Sequence, residues 1–271
     1  MLPHPTATAK DVFDACVESI RNPALRRRFE LASEHFFKAN QLYKKRGHSG
    51  ELLKFSEHTT SSGFTKEELN KLYDRLRNNE GPRVHYDAII EIPEMCPYCL
   101  LEGVNTLDHV LPKASYPVFS ITPLNLVGSC STCNNSKGNI SYNPYFDNIR
   151  DAKWLIASVE VETTIEPMVV RFGLDIAEET PEARSEEITV FFNTLHLSRR
   201  YSIKSVSLLR ENEKIFYNLF FQGGVDALRE HLFEMAHSCL NAYEDNYWKT
   251  AFYYALANSN WFLSFYARSS I

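Results

Sequence analysis

Cys96-Pro97-Tyr98-Cys99, Leu107-Asp108-His109-Val110-Leu111-Pro112-Lys113, Pro123-Leu124-Asn125, and Cys130-Ser131-Thr132-Cys133-Asn134-Asn135-Ser136-Lys137-Gly138 follow one another within a single stretch of the chain. Each Cys-x-x-Cys pair offers two thiolates from one tight turn, and two such pairs supply the four sulfurs of a closed, structural zinc site. Residues 100–129 separate the pairs, more than the ~15 to 20 residues of a simple zinc ribbon. That length leaves room for a hairpin mounted on the clamp.

Asp108 and His109 are neighbours in an apolar run, Val104 to Leu111, that reads as extended. Successive side chains of a strand point to opposite faces, so the carboxylate and the imidazole are suited to different tasks. Carboxylate oxygen suits a hard divalent cation such as magnesium. An imidazole free of metal can take a proton from water near neutral pH. The spacing further predicts a strand through Asp108-His109, a loop at Pro112 to Pro117, a second extended piece near Val118 to Val127, and a short helix from the second cysteine pair. Asn134 and Lys137 would fall one turn apart on that helix and share a face.

In this order the motifs resemble the HNH endonucleases, also called the ββα-metal or His-Me finger family, in the subset flanked by two Cys-x-x-Cys zinc knuckles. The resemblance covers Cys96 to Gly138. It implies an α+β protein with a zinc-braced ββα-metal core embedded in a mainly helical chain. It implies phosphodiester hydrolysis of DNA, with structural zinc on Cys96, Cys99, Cys130 and Cys133. His109 matches the family's general base, and Asp108 its metal-holding neighbour. Asn125 matches the middle Asn, which holds the His loop in place. Asn134 stands at the third motif position, the second protein ligand of a catalytic magnesium or manganese ion, where the family name has His; members with Asn there are active. Asn135, next to it, is the alternative ligand. Lys137 and Lys113 would steady a neighbouring phosphate.

A further resemblance rests on Tyr86-Asp87 ahead of the first cysteine pair, the Leu-Asp-His-Val-Leu-Pro-Lys string and the long aromatic C-terminal region. In these the chain is similar to HNH subunits of bacterial antiphage systems of the Septu and retron type. That implies an ABC-type ATPase partner. Two rival classes stay open: a non-catalytic zinc-ribbon module that binds nucleic acid or protein, and an RNA-cutting member of the same fold.

Composition agrees with a folded chain: 44% of the 271 residues are hydrophobic and 13% aromatic, well outside the disordered range. Net charge is −5, which argues against nucleic-acid affinity spread over the whole surface, because phosphate neutralisation supplies most non-specific binding. The basic residues Arg21, Arg26, Arg27, Arg28, Lys38, Lys44, Lys45 and Arg46 cluster against Glu30 and Glu34, whereas residues 160–187 are dominated by acids. The N-terminus, Met1-Leu-Pro-His-Pro-Thr6, has no secretory pattern, and no window reaches the ~20 apolar residues of a membrane span. A reducing cytoplasm is therefore expected, where paired cysteines signal metal more often than disulfide. No Walker lysine motif or Gly-x-Gly-x-x-Gly is present.

Helical spacing predicts two helices from Thr8 to Tyr43 with a corner at Arg21 to Ala24, forced by Pro23. Gly47 to Gly63 reads as a polar loop. Thr65 and Glu68 form a capping-box pattern for a helix ending near Asn78, stopped by Asn79-Glu-Gly-Pro82. His85 to Ile92 fits either a strand or a helix. Val159 to Thr163 and Val169 to Phe172 read as strands, and residues 185–271 as helices broken at Gly223-Gly224. The expected divisions are a helical region 1–85, a zinc-braced domain 86–150 and a mainly helical domain 151–271.

Overall fold

The computed structural model describes residues 1–57, 64–138, 140, 142–161, 168–243 and 245–268. These residues are mostly helical, with two small antiparallel sheets. They divide into two compact units, Met1–Asn148 and Ile149–Ile271, so the helices of the expected 1–85 region share one unit with the zinc-type motif.

In the first unit, α1 (Ala9–Glu18) is opened by a Thr8/Asp11 capping box, and α2 (Pro23–His48) starts with Pro23 in its first turn and Asn22 as its cap. Helix α2 outruns its expected end because Gly47 lets it press against the Phe146 ring; a Cβ there would lie 2.4 Å from Phe146 Cε2. The expected loop thus begins later and contains a 3-10 turn at Leu52–Lys54. Residues 58–63, which include Thr59 to Gly63 of that expectation, lie outside the described residues. Helix α3 (Lys66–Asn78) has both bonds of the Thr65/Glu68 capping box.

Helix α3 ends at Asn78, as expected, and Gly81-Pro82 then takes a second part. It sits in the first turn of α4 (Glu80–Ile90), where proline's missing N–H is no loss. The stretch left between strand and helix is helical for the same reason: its N-terminal turn begins upstream of His85.

Strands β1 (Thr106–His109) and β2 (Leu126–Ser129) pair antiparallel, with Asp108 opposite Val127 and His109 opposite Leu126. Helix α5 (Ser131–Ser136) follows at once. The expected second extended piece is strand only at its end, from Leu126 on: Pro117–Phe119 and Pro123–Asn125 are 3-10 turns, since each proline sets a turn rather than a ladder. Beneath lie two aromatic clusters, Phe13, Phe29, Phe36 and Phe64, and Tyr43, Phe55, Phe119 and Phe146.

In the second unit, β3 (Leu155–Glu160) and β4 (Val169–Leu174) form the other hairpin. The expected strand segment 162–163 lies outside the described residues. Helices α6 (Glu182–Thr194), α7 (Leu197–Tyr243), α8 (Trp248–Asn258) and α9 (Asn260–Arg268) follow. Helix α7 breaks at Gly224, φ 73°, a left-handed value that glycine adopts without steric penalty. Helix α7 packs on β4 and α8 on β3. Trp154, Phe191, Tyr201, Trp248 and Phe252 fill the core between them.

Candidate active site and metal centre

All four cysteines of the two pairs are buried, and their sulfurs lie within 4.8 Å of one another. Cys99 Sγ and Cys130 Sγ are 3.9 Å apart, and a tetrahedral ion with ~2.3 Å sulfur bonds sets its sulfurs ~3.8 Å apart. The four thiols therefore form a group able to hold a zinc ion. Each knuckle is shaped for the purpose. Cys130 caps α5, its Sγ accepting from Cys133 N at 3.3 Å. Leu100, in the first knuckle, sits at φ 47°, and its N–H reaches back to Cys96 O at 2.9 Å. A left-handed leucine costs roughly 1–2 kcal/mol, held in place by the turn that brings Cys96 and Cys99 together.

The ladder bond from Val110 N to Asn125 O fixes which way β1 faces. Opposed residues alternate between bonded and unbonded pairs, so Leu107 and His109 turn their carbonyls away from β2. Helix α5 docks on this outer edge. Asn134 Nδ2 donates to Thr106 Oγ1 at 3.0 Å and Leu107 O at 3.3 Å. Because both partners are oxygens and one is a carbonyl, the amide nitrogen must face the strand, which frees Asn134 Oδ1 from it. Tyr73, on α3, donates to the same Leu107 O at 3.4 Å, and its ring meets that of His109 edge-on at 4.5 Å. Tyr73 thus links the Leu107 carbonyl, which Asn134 also reaches, to the His109 ring. Asn135 is exposed.

His109 Nε2 lies 2.9 Å from Ser120 O. A carbonyl only accepts, so Nε2 carries the proton and Nδ1 keeps a bare lone pair. Ser120 is itself tied down, its Oγ donating to Leu69 O on α3 at 2.9 Å. Burial pushes the imidazole's pKa down to about 3, against the opposing pull of the Ser120 carbonyl. The ring is neutral throughout the physiological range.

Asn125 is fully buried and uses every polar valence. Its Oδ1 accepts from Leu111 N at 2.7 Å and Tyr43 Oη at 2.9 Å; its Nδ2 donates to Leu111 O and Phe119 O, both at 3.1 Å. This pins both ends of the loop that carries Ser120. Asn143 extends the network, donating to Tyr43 Oη and Leu124 O.

Two expected roles meet a different geometry. Lys137 is 2% exposed, and its ammonium donates to His109 O, Val110 O and Ile140 O and sits 3.2 Å from Asp108 Oδ2. It is an internal cation of the strand edge, turned away from any phosphate in solvent. Asp108, 3% exposed, also receives the Tyr98 hydroxyl on Oδ2 at 2.6 Å; Oδ1 takes part in neither bond. Burial raises the Asp108 pKa, with Lys137 opposing. Lys113 is the cation on the histidine side, its Nζ 4.5 Å from the centre of the Tyr73 ring.

Tyr43, Tyr73, Tyr98 and Ser120 were not singled out by sequence reasoning. Tyr98 alone had a signal, its place between the cysteines of the first pair. The basic cluster of α2 is largely spent on pairs: Arg26 and Arg27 with Glu30, Arg28 with Glu68, Lys38 with Glu34, and Arg46 over the Phe55 ring.

Protein ea31 of Escherichia phage lambda is 28% identical to this chain over 290 aligned positions, which take in 95% of this chain and 97% of that protein. The similarity therefore runs through both units. No family model and no solved structure matches. No helix among the described residues is long and apolar enough to cross a membrane.

Proposed function

We propose that this chain is an HNH-type endonuclease that hydrolyses DNA phosphodiester bonds, with zinc on Cys96, Cys99, Cys130 and Cys133 as a structural brace. The observation that carries the reading is the bond of His109 Nε2 to the Ser120 carbonyl, which puts the proton on Nε2 and leaves Nδ1 as the acceptor. In this role His109 Nδ1 takes the proton from an attacking water. Asn125 holds the loop that aims the ring, and Lys113 offers positive charge to a substrate phosphate. Asn134 Oδ1 and Asp108 Oδ1 are the oxygens that would hold a magnesium or manganese ion, with Lys137 keeping Asp108 Oδ2. Such an ion supplies Lewis-acid stabilisation of the leaving oxygen. The −5 charge of the chain and the paired cations of α2 leave DNA affinity to a partner, and an ABC-type ATPase of an antiphage complex fits that need.

The Asp108–Lys137 pair also favours a second reading, a non-catalytic zinc module, because a buried, neutralised carboxylate is a poor start for a cation site. Cleavage of supercoiled plasmid with magnesium or manganese separates the two. Wild-type chain, alone or with co-purified partners, should nick or linearise the plasmid. His109→Ala should lower the rate by at least ~10²-fold with zinc content unchanged. A variant that cuts at the wild-type rate removes His109 from the chemistry. Absence of cutting in both preparations, with DNA and RNA substrates alike, supports the binding module.

A further inference from the structure

Away from the zinc-type motif and independent of the nuclease reading, the second unit carries a sheet with an unpaired edge. Strand β3 pairs only with β4 among the described residues. Asp175 N donates to Trp154 O at 2.8 Å, which sets the phase of the ladder. Residues opposed to their partners alternate between bonded and unbonded pairs, so Ile156, Ser158 and Glu160 bond across to β4. Leu155, Ala157 and Val159 direct their N–H and C=O outward. The bond from Leu155 N to Asn246 Oδ1 at 2.9 Å agrees with that phase. For Ala157 and Val159 no such partner is present among the described residues.

A groove of about 470 Å³ follows this edge. Five consecutive residues, Leu155 to Val159, line it; since neighbours in a strand face opposite ways, the groove runs along the edge rather than across one face. Its other wall is α8, which presents Ala251, Tyr254 and Ala255. The two alanines leave space where larger side chains would fill it. Leu155-Ile-Ala-Ser-Val159 carries no charge, proline or bulge, three of the devices that protect an edge strand.

We propose that β3 accepts an extended segment of a partner protein as a third strand, laid between the β3 edge and α8. Main-chain bonds to Ala157 and Val159 supply the affinity, as in strand addition generally. Alternate side chains of the incoming segment point at Ala251 and Ala255 and are apolar. Lys153, at one end of the groove, pairs with an acidic residue of the segment. A second copy of this chain fits less well: its own α8 stands over the same edge of its own β3, and edge-to-edge pairing brings two such helices to one face.

The test uses the full chain and a displayed library of random decapeptides, from which recovered sequences are synthesised and their binding measured by fluorescence anisotropy. Single N-methylation along the best peptide reads the backbone directly. Binding should fall at least tenfold at every second position and change little between. Ala157→Pro, which removes one outward N–H and leaves the β4 ladder bonds in place, should also weaken binding at least tenfold with the far-ultraviolet spectrum unchanged. Should that variant misfold, the N-methyl series on the unaltered chain still decides. The proposal is overturned if no peptide binds, or if N-methylation shows no alternation. It is overturned equally if the chain self-associates in solution and Ala157→Pro disperses it, which makes the occupant a second copy.

Discussion

Asn125 concentrates more of the site's order than any other side chain, since four hydrogen bonds from one dry carboxamide join α2, the loop after β1 and the turn before β2. Truncation leaves Leu111 N–H and the Tyr43 O–H without acceptors, and an unsatisfied buried group costs about 1–3 kcal/mol. Asn125→Ala should therefore lower stability by roughly 3–5 kcal/mol, checked as a shift of the urea midpoint followed by tyrosine fluorescence; a loss under about 1 kcal/mol would show that the loop is held by other means. Gly128 is a second sensitive point. A Cβ there would lie 2.8 Å from Ile90 O and 3.0 Å from Val104 Cγ1, so β2 must move off α4. Gly128→Ala should cost about 1–3 kcal/mol, measured in the same way. Asn125 was legible as a motif residue, and its partners were not: nothing in the sequence around Tyr43 says that its hydroxyl reaches a loop eighty positions downstream.

Helix α3 shows what is readable at the scale of an element. Thr65 and Glu68 announce its start, and both bonds form. The helix then delivers Tyr73 to His109 and the Leu69 carbonyl to Ser120. Thr65→Ala should cost about 1 kcal/mol. The Thr65 N–H and then Arg28 hold the Glu68 carboxylate below its ordinary 4.5. A depressed acid adds stability above that value and loses it as pH falls through it. The gap in thermal midpoint between wild type and Glu68→Gln should therefore be wider at pH 7 than at pH 4; a gap independent of pH would show that the carboxylate contributes nothing. Prolines were the harder signal. Pro82 follows the expected stop of α3 at Asn78 and also opens the next helix, and Pro117 and Pro123 turn an expected strand into 3-10 turns, because a proline states what its backbone cannot do and leaves the alternative to its surroundings.

At the scale of the molecule, each unit has its own core. Among the described residues the zinc-type cluster lies in the first unit, where thiolate binding of an ion would contribute folding free energy directly. Removing metal with a strong chelator, or replacing Cys96 or Cys133 by Ser, should strip amide-exchange protection from residues 94–138 and the helices packed on them. Protection in β3, β4, α7 and α8 should persist. Uniform loss across residues 1–271 would show that the brace supports the whole chain, and no loss anywhere would show that it is not structural.

Legible in the amino-acid order alone are the local rules: two cysteine pairs at clamp spacing, an Asp-His step in an extended run, the Thr65/Glu68 cap of α3, and a break at Gly223-Gly224. These are properties of a few adjacent residues, so they survive without knowledge of the fold. It took the tertiary fold to show that Lys137 is buried against Asp108 rather than turned to solvent, that the Ser120 carbonyl selects the tautomer of His109, and that among the described residues β3 pairs on one edge alone, with a groove beside α8 on the other. Each of these depends on which distant groups arrive at a side chain or strand edge, and burial then sets the energetic weight of every charge and hydrogen bond that results.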